Sequence, residues 1–385
     1  MTRAAVAAIC LGCIGLTFLP SFAAEEKQPP AAEHERAVEL VRQLGSQSFN
    51  AREEASKKLM QLGRPAKQAL LDGAKSLDLE VRTRCEQLLV DVLAADLKAR
   101  VDAFIADKDG KVEHDLPGWK RYRELVGKDA GSRELFAEMC RAHSRLLDEA
   151  DADPKAMGQK YLQEAQAMYQ QIYQPAVGQR RQLTLADVAT MLFIATDPEV
   201  PVPDQARSFT VNLLYQPAFN NAVRNGPRTE QARKLLGAWI AQAQGQSAVQ
   251  TLNLAIQFGL KEGLVLALKL IESKDFANGM AITAVGKLGN KEHVPVLEKL
   301  LDNKTVVMNV NLNNKQGTTE VRDVALAVLI HLTGQQIKDY GYEFYRFPNN
   351  DQIFHATAYL AFAEQAKRDA AQQKWHDWKA KQPKP

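Results

Sequence analysis

Apolar residues recur at spacings of three and four along most of the chain, which is the period of amphipathic helices. The stretch from Ser48 to Leu89 carries one arrangement twice. Arg52, Ala55 and Leu59, followed by Leu62 and Gly63, are answered by Arg82, Cys85 and Leu89. Two further copies lie near the other end, at Asn278, Ala281, Val285, Leu288 and Gly289, and at Arg322, Ala325, Leu329 and Leu332. This spacing puts the small residue and the leucines on one helical face, and the small residue lets a neighbouring helix approach closely.

A second element accompanies the first. Pro65 stands five positions before Leu70 in "RPAKQALLDG", as Pro295 stands before Leu300 in "VPVLEKLLDN". Proline fits the first turn of a helix, and Gly63 or Gly289 ends the helix before it. The unit is helix, turn, helix. One such pair cannot bury its own apolar faces, so the pattern predicts an all-α fold of stacked antiparallel helix pairs.

These residues resemble the HEAT-repeat family, in which the second helix of a unit opens on an acidic-Val-Arg step followed by a small residue and Leu; here the steps are Glu80-Val81-Arg82 and Glu320-Val321-Arg322. The resemblance is good over 34–106 and 276–334 and only general between them. It extends to exported bacterial HEAT-repeat proteins. It implies an armadillo-like α-solenoid with a scaffolding, protein-binding role and carries no catalytic residues.

Breaks in the pattern set expected boundaries. Residues 34–106 form an N-terminal repeat block, and Gly110, Pro117 and Gly118 mark a linker over 107–118. The helical segment 119–195 lacks the repeat signature and is either diverged repeats or a separate bundle. After the proline-rich stretch 196–204, residues 205–347 return to helix pairs, and 348–385 form C-terminal helices with a basic tail. Within the last repeat, Val306, Met308, Val310 and Leu312 alternate with other residues before "NNKQG", predicting a short β-hairpin insertion near 305–320.

The N-terminus alters the picture. Arg3, an apolar run from Ala4 to Leu19, and Ser21-Phe22-Ala23 read as a signal peptide cut after Ala23, with 24–33 a flexible linker. The other reading is an uncleaved anchor, but the run is shorter than the roughly 20 residues that span a bilayer. The expectation is therefore an exported periplasmic or extracellular protein of bacterial type, with no stable membrane span after cleavage. Cys10 and Cys13 fall in that segment, and Cys85 and Cys140 occupy apolar helical positions that suit buried free thiols, a disulfide being the alternative that an exported compartment would permit. With 49 basic and 46 acidic residues, the chain lacks the strong positive field of nucleic-acid binding, and no nucleic-acid partner is expected.

Sites of chemistry are sparse. "DKDGK" at Asp107 fails as a calcium loop, because Ile105 and Leu116 fall where carboxylates are required, and it reads as a solvated turn. "DEADADP" from Asp148 reads as a helix end with an N-cap. No histidine pair has zinc-site spacing, so neither catalytic residues nor cofactors are assigned. Trp119 and Tyr122 read as core. The surface expected to bind a protein partner comprises the insertion, with Val306, Met308, Val310 and Leu312, and the rings of "DYGYEFYRF", Tyr340, Tyr342, Phe344 and Tyr345. The rings either contact that partner or cap the last repeat, and the hairpin either projects or packs on its own repeat. The function expected is a non-catalytic scaffold; the alternative is an enzyme, or a helical subunit of one, with scattered catalytic groups.

Overall fold

The computed structural model describes residues 30–174, 182–243, 247–273, 279–312, 314–354 and 356–382. The expected signal peptide and its cleavage site lie outside them. The described chain is mostly helical, with one two-stranded sheet, and divides into two compact units, Met1–Asp96 and Leu97–Pro385. The division falls inside a helix. No described helix is long and apolar enough to cross a membrane.

The first unit holds α1 (Pro30–Gln43), α2 (Phe49–Leu62), α3 (Lys67–Gly73) and the beginning of α4 (Leu79–Ala106). The starts of α2 and α4 have a visible cause. The Ser48 hydroxyl accepts the Ala51 N–H, and Asp78 accepts the N–H groups of Glu80 and Val81, satisfying donors that a helix terminus leaves open. Gly63, at φ +63°, ends α2. Pro65 lies in a 3₁₀ turn leading into α3.

The core here joins Leu44, Ala55, Leu59, Leu70, Cys85 and Val92. Ala55 and Cys85, the matched small residues, are both buried. The matched arginines do matched work: Arg52 Nη1 donates to the Ser46 carbonyl at 2.7 Å and Arg82 Nη1 to the Ser76 carbonyl at 3.4 Å, each closing the loop before its own helix. Between the copies, Arg52 pairs with Glu80 at 3.2 Å, and Arg84 bridges Glu80 at 2.6 Å and Glu53 at 2.9 Å. The arrangement carried twice between Ser48 and Leu89 thus specifies loop closure and ion pairing as well as an apolar face.

The second unit continues through α5 (Trp119–Leu125), α6 (Ala130–Ala152), α7 (Met157–Tyr173), α8 (Leu185–Ala195), α9 (Asp204–Leu214), α10 (Pro217–Arg224), α11 (Thr229–Ala241), α12 (Ser247–Phe258), α13 (Glu262–Glu272), α14 (Gly279–Leu288) and α15 (Val294–Glu298). Then come β1 (Val306–Leu312), β2 (Lys315–Glu320), α16 (Val321–Leu332), a run of 3₁₀ turns, and α17 (Gln365–Ala380). Helices touch both the next helix and the next but one: α11 packs on α12 and α13, α12 on α13 and α14, and α14 on α16. α8 and α16 are buried almost all round, which their continuous apolar sequences require.

Trp119 and Tyr122 belong to an aromatic cluster with Phe104, Phe136 and Phe193, so these two positions are core. Cys85 and Cys140 are buried free thiols, and burial pushes them up to about 11 and about 12. Asp153 caps the turn after α6. The "DKDGK" loop departs from a plain solvated turn: the Asp107 carboxylate, largely sheltered, accepts the N–H groups of Lys111 and Val112 and meets His114 Nε2 at 2.9 Å. Those bonds hold it at about 2, with the Val112 N–H the largest contribution.

Candidate protein-binding site at the hairpin

The insertion is a hairpin, as the period of two requires. β1 and β2 pair antiparallel, with Met308 opposite Thr319, Asn309 opposite Thr318, Val310 opposite Gly317, Asn311 opposite Gln316 and Leu312 opposite Lys315. A bulge lies between Val306 and Met308. Asn314 sits at φ +60°, a conformation that asparagine tolerates better than most residues, and it turns the chain back at the tip.

The strand alternates, but not as a simple exposed ridge. Val306 is 48% exposed and Met308 37% exposed, whereas Val310 is buried and Leu312 partly so. Val310 packs with Phe344 and Ala361, and Gly317 is what allows it: a Cβ on Gly317 would stand 2.6 Å from the Phe344 ring. The hairpin therefore packs along one face on the segment that carries Phe344 and Ala361.

The rings of 340–345 are inside. Tyr340, Tyr342, Phe344 and Tyr345 are all buried, so as contact residues they are corrected to core. Tyr342 donates its hydroxyl to the Asp323 carbonyl at 2.6 Å and stacks near Phe362, and the Tyr340 and Tyr345 hydroxyls donate to Gln335 and to the Asn349 carbonyl. Their hydroxyls need partners once buried, and each finds one inside the chain. They pack against α16 and the segment that follows it.

Beneath the hairpin is a polar lock that sequence reasoning missed. Arg368 of α17 donates to both carboxylate oxygens of Asp323, at 2.9 and 3.2 Å, and to the carbonyl and hydroxyl of Thr318 at 3.0 Å. Asp323 also accepts the Glu320 N–H at 2.8 Å, capping α16, and Glu320 in turn pairs with Arg322 at 2.6 Å. Burial pushes the Asp323 carboxyl up, to about 6, against the pull of the Glu320 N–H and Arg368. Two acids and two arginines balance in charge, as a buried network must.

A second anchor holds the hairpin tip. Glu343, with its side chain 4% exposed, accepts from Lys315 at 2.5 Å, from Lys367 at 3.0 Å, and from the N–H groups of Ala363 and Glu364 at 2.7 and 3.0 Å. Burial acts to raise its pKa, but those four donors outweigh burial and hold it at about 2. β2 is tied to the C-terminal segment through backbone as well: Thr318 and Phe362 exchange both N–H···O bonds at 3.0 Å.

What remains open is a groove. A cavity of about 320 Å³ beside Val307 and Met308 is walled by Met280 and Thr283 of α14 and by Ile353 and Phe354. On the other face of the hairpin, a broader concavity of about 450 Å³ is lined by Asn309, Asn311, Gln316, Thr318 and Phe362. The first is apolar and suits a side chain, and the second is a row of carboxamides that can donate and accept.

Elsewhere, α6 leaves helical geometry at His143 (φ −139°, ψ 37°), whose Nε2 meets Asp187 at 2.8 Å. Asp187 also accepts the N–H and hydroxyl of Thr184 and so caps α8. Burial acts to raise Asp187, and its bonds from His143 and Thr184 overcome this, to about 2. The pair resembles one that orients a general base, but here it ties a helix break to a helix start. No group of three or more His, Cys, Asp or Glu side chains among the described residues is placed to hold a metal ion.

No family model matches the chain, and no curated protein matches it.

Proposed function

We propose that this chain is a HEAT-like α-solenoid scaffold that binds a protein partner through its hairpin insertion, and that it works outside the cytoplasm after loss of residues 1–23. The observation that carries the reading is the placement of Val306 and Met308. They are exposed on a hairpin inserted between α15 and α16, beside an apolar groove formed by Met280, Val307, Ile353 and Phe354. Insertions of this kind project from one face of a repeat array, and an exposed apolar pair beside a groove is a place for a partner's anchor residue.

The two matched arginine closures and the next-but-one helix contacts support the repeat architecture. The polar lock and the Glu343 anchor support a binding role for the hairpin, because a rigid strand loses less freedom on association. Two variants test the reading in extracts of the organism that encodes the chain. Met308→Asp should abolish capture of the partner while leaving the melting temperature within a few degrees of wild type. Val265→Asp, at a position on α13 that is 69% exposed, should leave capture unchanged. Undiminished capture by Met308→Asp removes the hairpin from consideration.

A further inference from the structure

We propose that the free edge of β1 pairs with β1 of a second copy of this chain, antiparallel, across a two-fold axis at Val310. The inference goes beyond the partner-binding reading and does not depend on it, since it concerns the purified protein alone.

Strand geometry fixes which groups are free. Thr318 exchanges both of its backbone bonds with Phe362, so its N–H and C=O point away from β1. Asn309, its opposite number, is therefore in a non-hydrogen-bonded pair, and its N–H and C=O point outward from the sheet. Asn311, two residues on and opposite Gln316, is disposed in the same way. Among the described residues, no backbone bond is made by either asparagine on that side. The outer edge of β2, by contrast, is partly covered by Phe362.

An exposed strand edge is normally blunted with charge, proline or a bulge. β1 has the sequence VVMNVNL, without charge or proline, and its bulge is at the start, leaving Met308 to Leu312 regular. The C-terminal end of this edge is thus left competent to pair.

The edge is complementary to itself. With the axis at Val310, Asn309 lies opposite Asn311 of the other copy and Asn311 opposite its Asn309, and the two pairs form four backbone hydrogen bonds. In each pair the two side chains stand on the same face within contact distance. A carboxamide both donates and accepts, so Asn meets Asn without an unmatched group or a like charge. The carboxamide row of each hairpin then continues into the next. One strand pair covers less than the ~1,000 Å² of a stable interface, so the dimer is weak and concentration-dependent.

Sedimentation velocity from about 5 to 500 µM reads this directly, concentrations that bracket a weak dimer. The wild type should shift from monomer toward dimer. Asn311→Pro removes the outward N–H together with the side-chain carboxamide, at an extended position proline accepts, and should remain monomeric throughout. Gln316→Pro removes an outward N–H from β2 instead and should dimerise like the wild type. Unchanged far-UV circular dichroism in both variants shows that the helices are retained. A wild type that is monomeric at the highest concentration overturns the proposal, even if β1 recruits a peptide of another protein. So does equal association of Asn311→Pro and wild type, and so does equal loss in both proline variants.

Discussion

Replacing Glu343 by Gln keeps the shape of the hairpin anchor and removes its charge. The free carboxyl titrates at 4.5 and the folded one at about 2, a difference of about 2.5 pH units, or roughly 3 kcal/mol of stability at neutral pH. Lys315 and Lys367 are 44% and 45% exposed, so solvent screening of these partners lowers the expected loss to about 2–3 kcal/mol. The sign of the pH dependence follows from a depressed carboxyl: the contribution is complete above pH 4.5 and fades as pH falls toward 2. At pH 3 rather more than half of it, about 1–2 kcal/mol, should already be gone. Urea denaturation of wild type and Glu343→Gln at pH 7 and pH 3 measures both numbers, and the gap between the two proteins should narrow at the lower pH. A gap that stays the same, or widens, would show that Glu343 is not held as an ion by its four donors.

The polar lock should show coupling: Asp323→Ala and Arg368→Ala each leave a buried charge unmatched and should cost about 3–5 kcal/mol, while the double variant costs clearly less than their sum. Strict additivity in denaturation experiments contradicts the pairing. Gly73→Ala would place a Cβ 2.5 Å from Cys85 Sγ and 2.7 Å from Val41, and should destabilise by about 1–3 kcal/mol, with part of the loss restored by adding Cys85→Ala. Ala325→Leu should overpack the buried face of α16 by a similar amount, measured as a lower melting temperature. An unchanged melting temperature would place Ala325 outside the core.

Local chemistry made much of this fold legible. Period and punctuation located the helices, and alternation from Val306 to Leu312 located the hairpin, because each signal resides in a few neighbouring residues. The matched Arg52 and Arg82 were visible as a repeat, but their task was not, since closing a loop onto a carbonyl six residues earlier leaves no mark on the partner residue. The lock was invisible for a related reason. Asp323 and Arg368 are 45 residues apart, and neither has a sequence context different from an exposed charge. The rings at Tyr340 to Tyr345 showed the limit from the other side: composition marks an aromatic cluster, but only packing decides whether it is covered. Gly317 and Phe362, which form the ground on which Phe344 and Tyr342 rest, were not singled out at all. The first compact unit ends within α4, whose helical pattern continues unbroken past Asp96.

Site-specific photo-crosslinking decides whether the hairpin and its groove receive a protein partner. A photoreactive residue at Val306, and separately one at Val265, would be activated in cells of the organism that encodes the chain. Val306 should give a discrete product containing peptides of a second protein, that product should be lost when Met308→Asp is added, and Val265 should give no such product. The same product from both positions, or from Val306 no product except joined copies of this chain, would contradict a binding role for the hairpin.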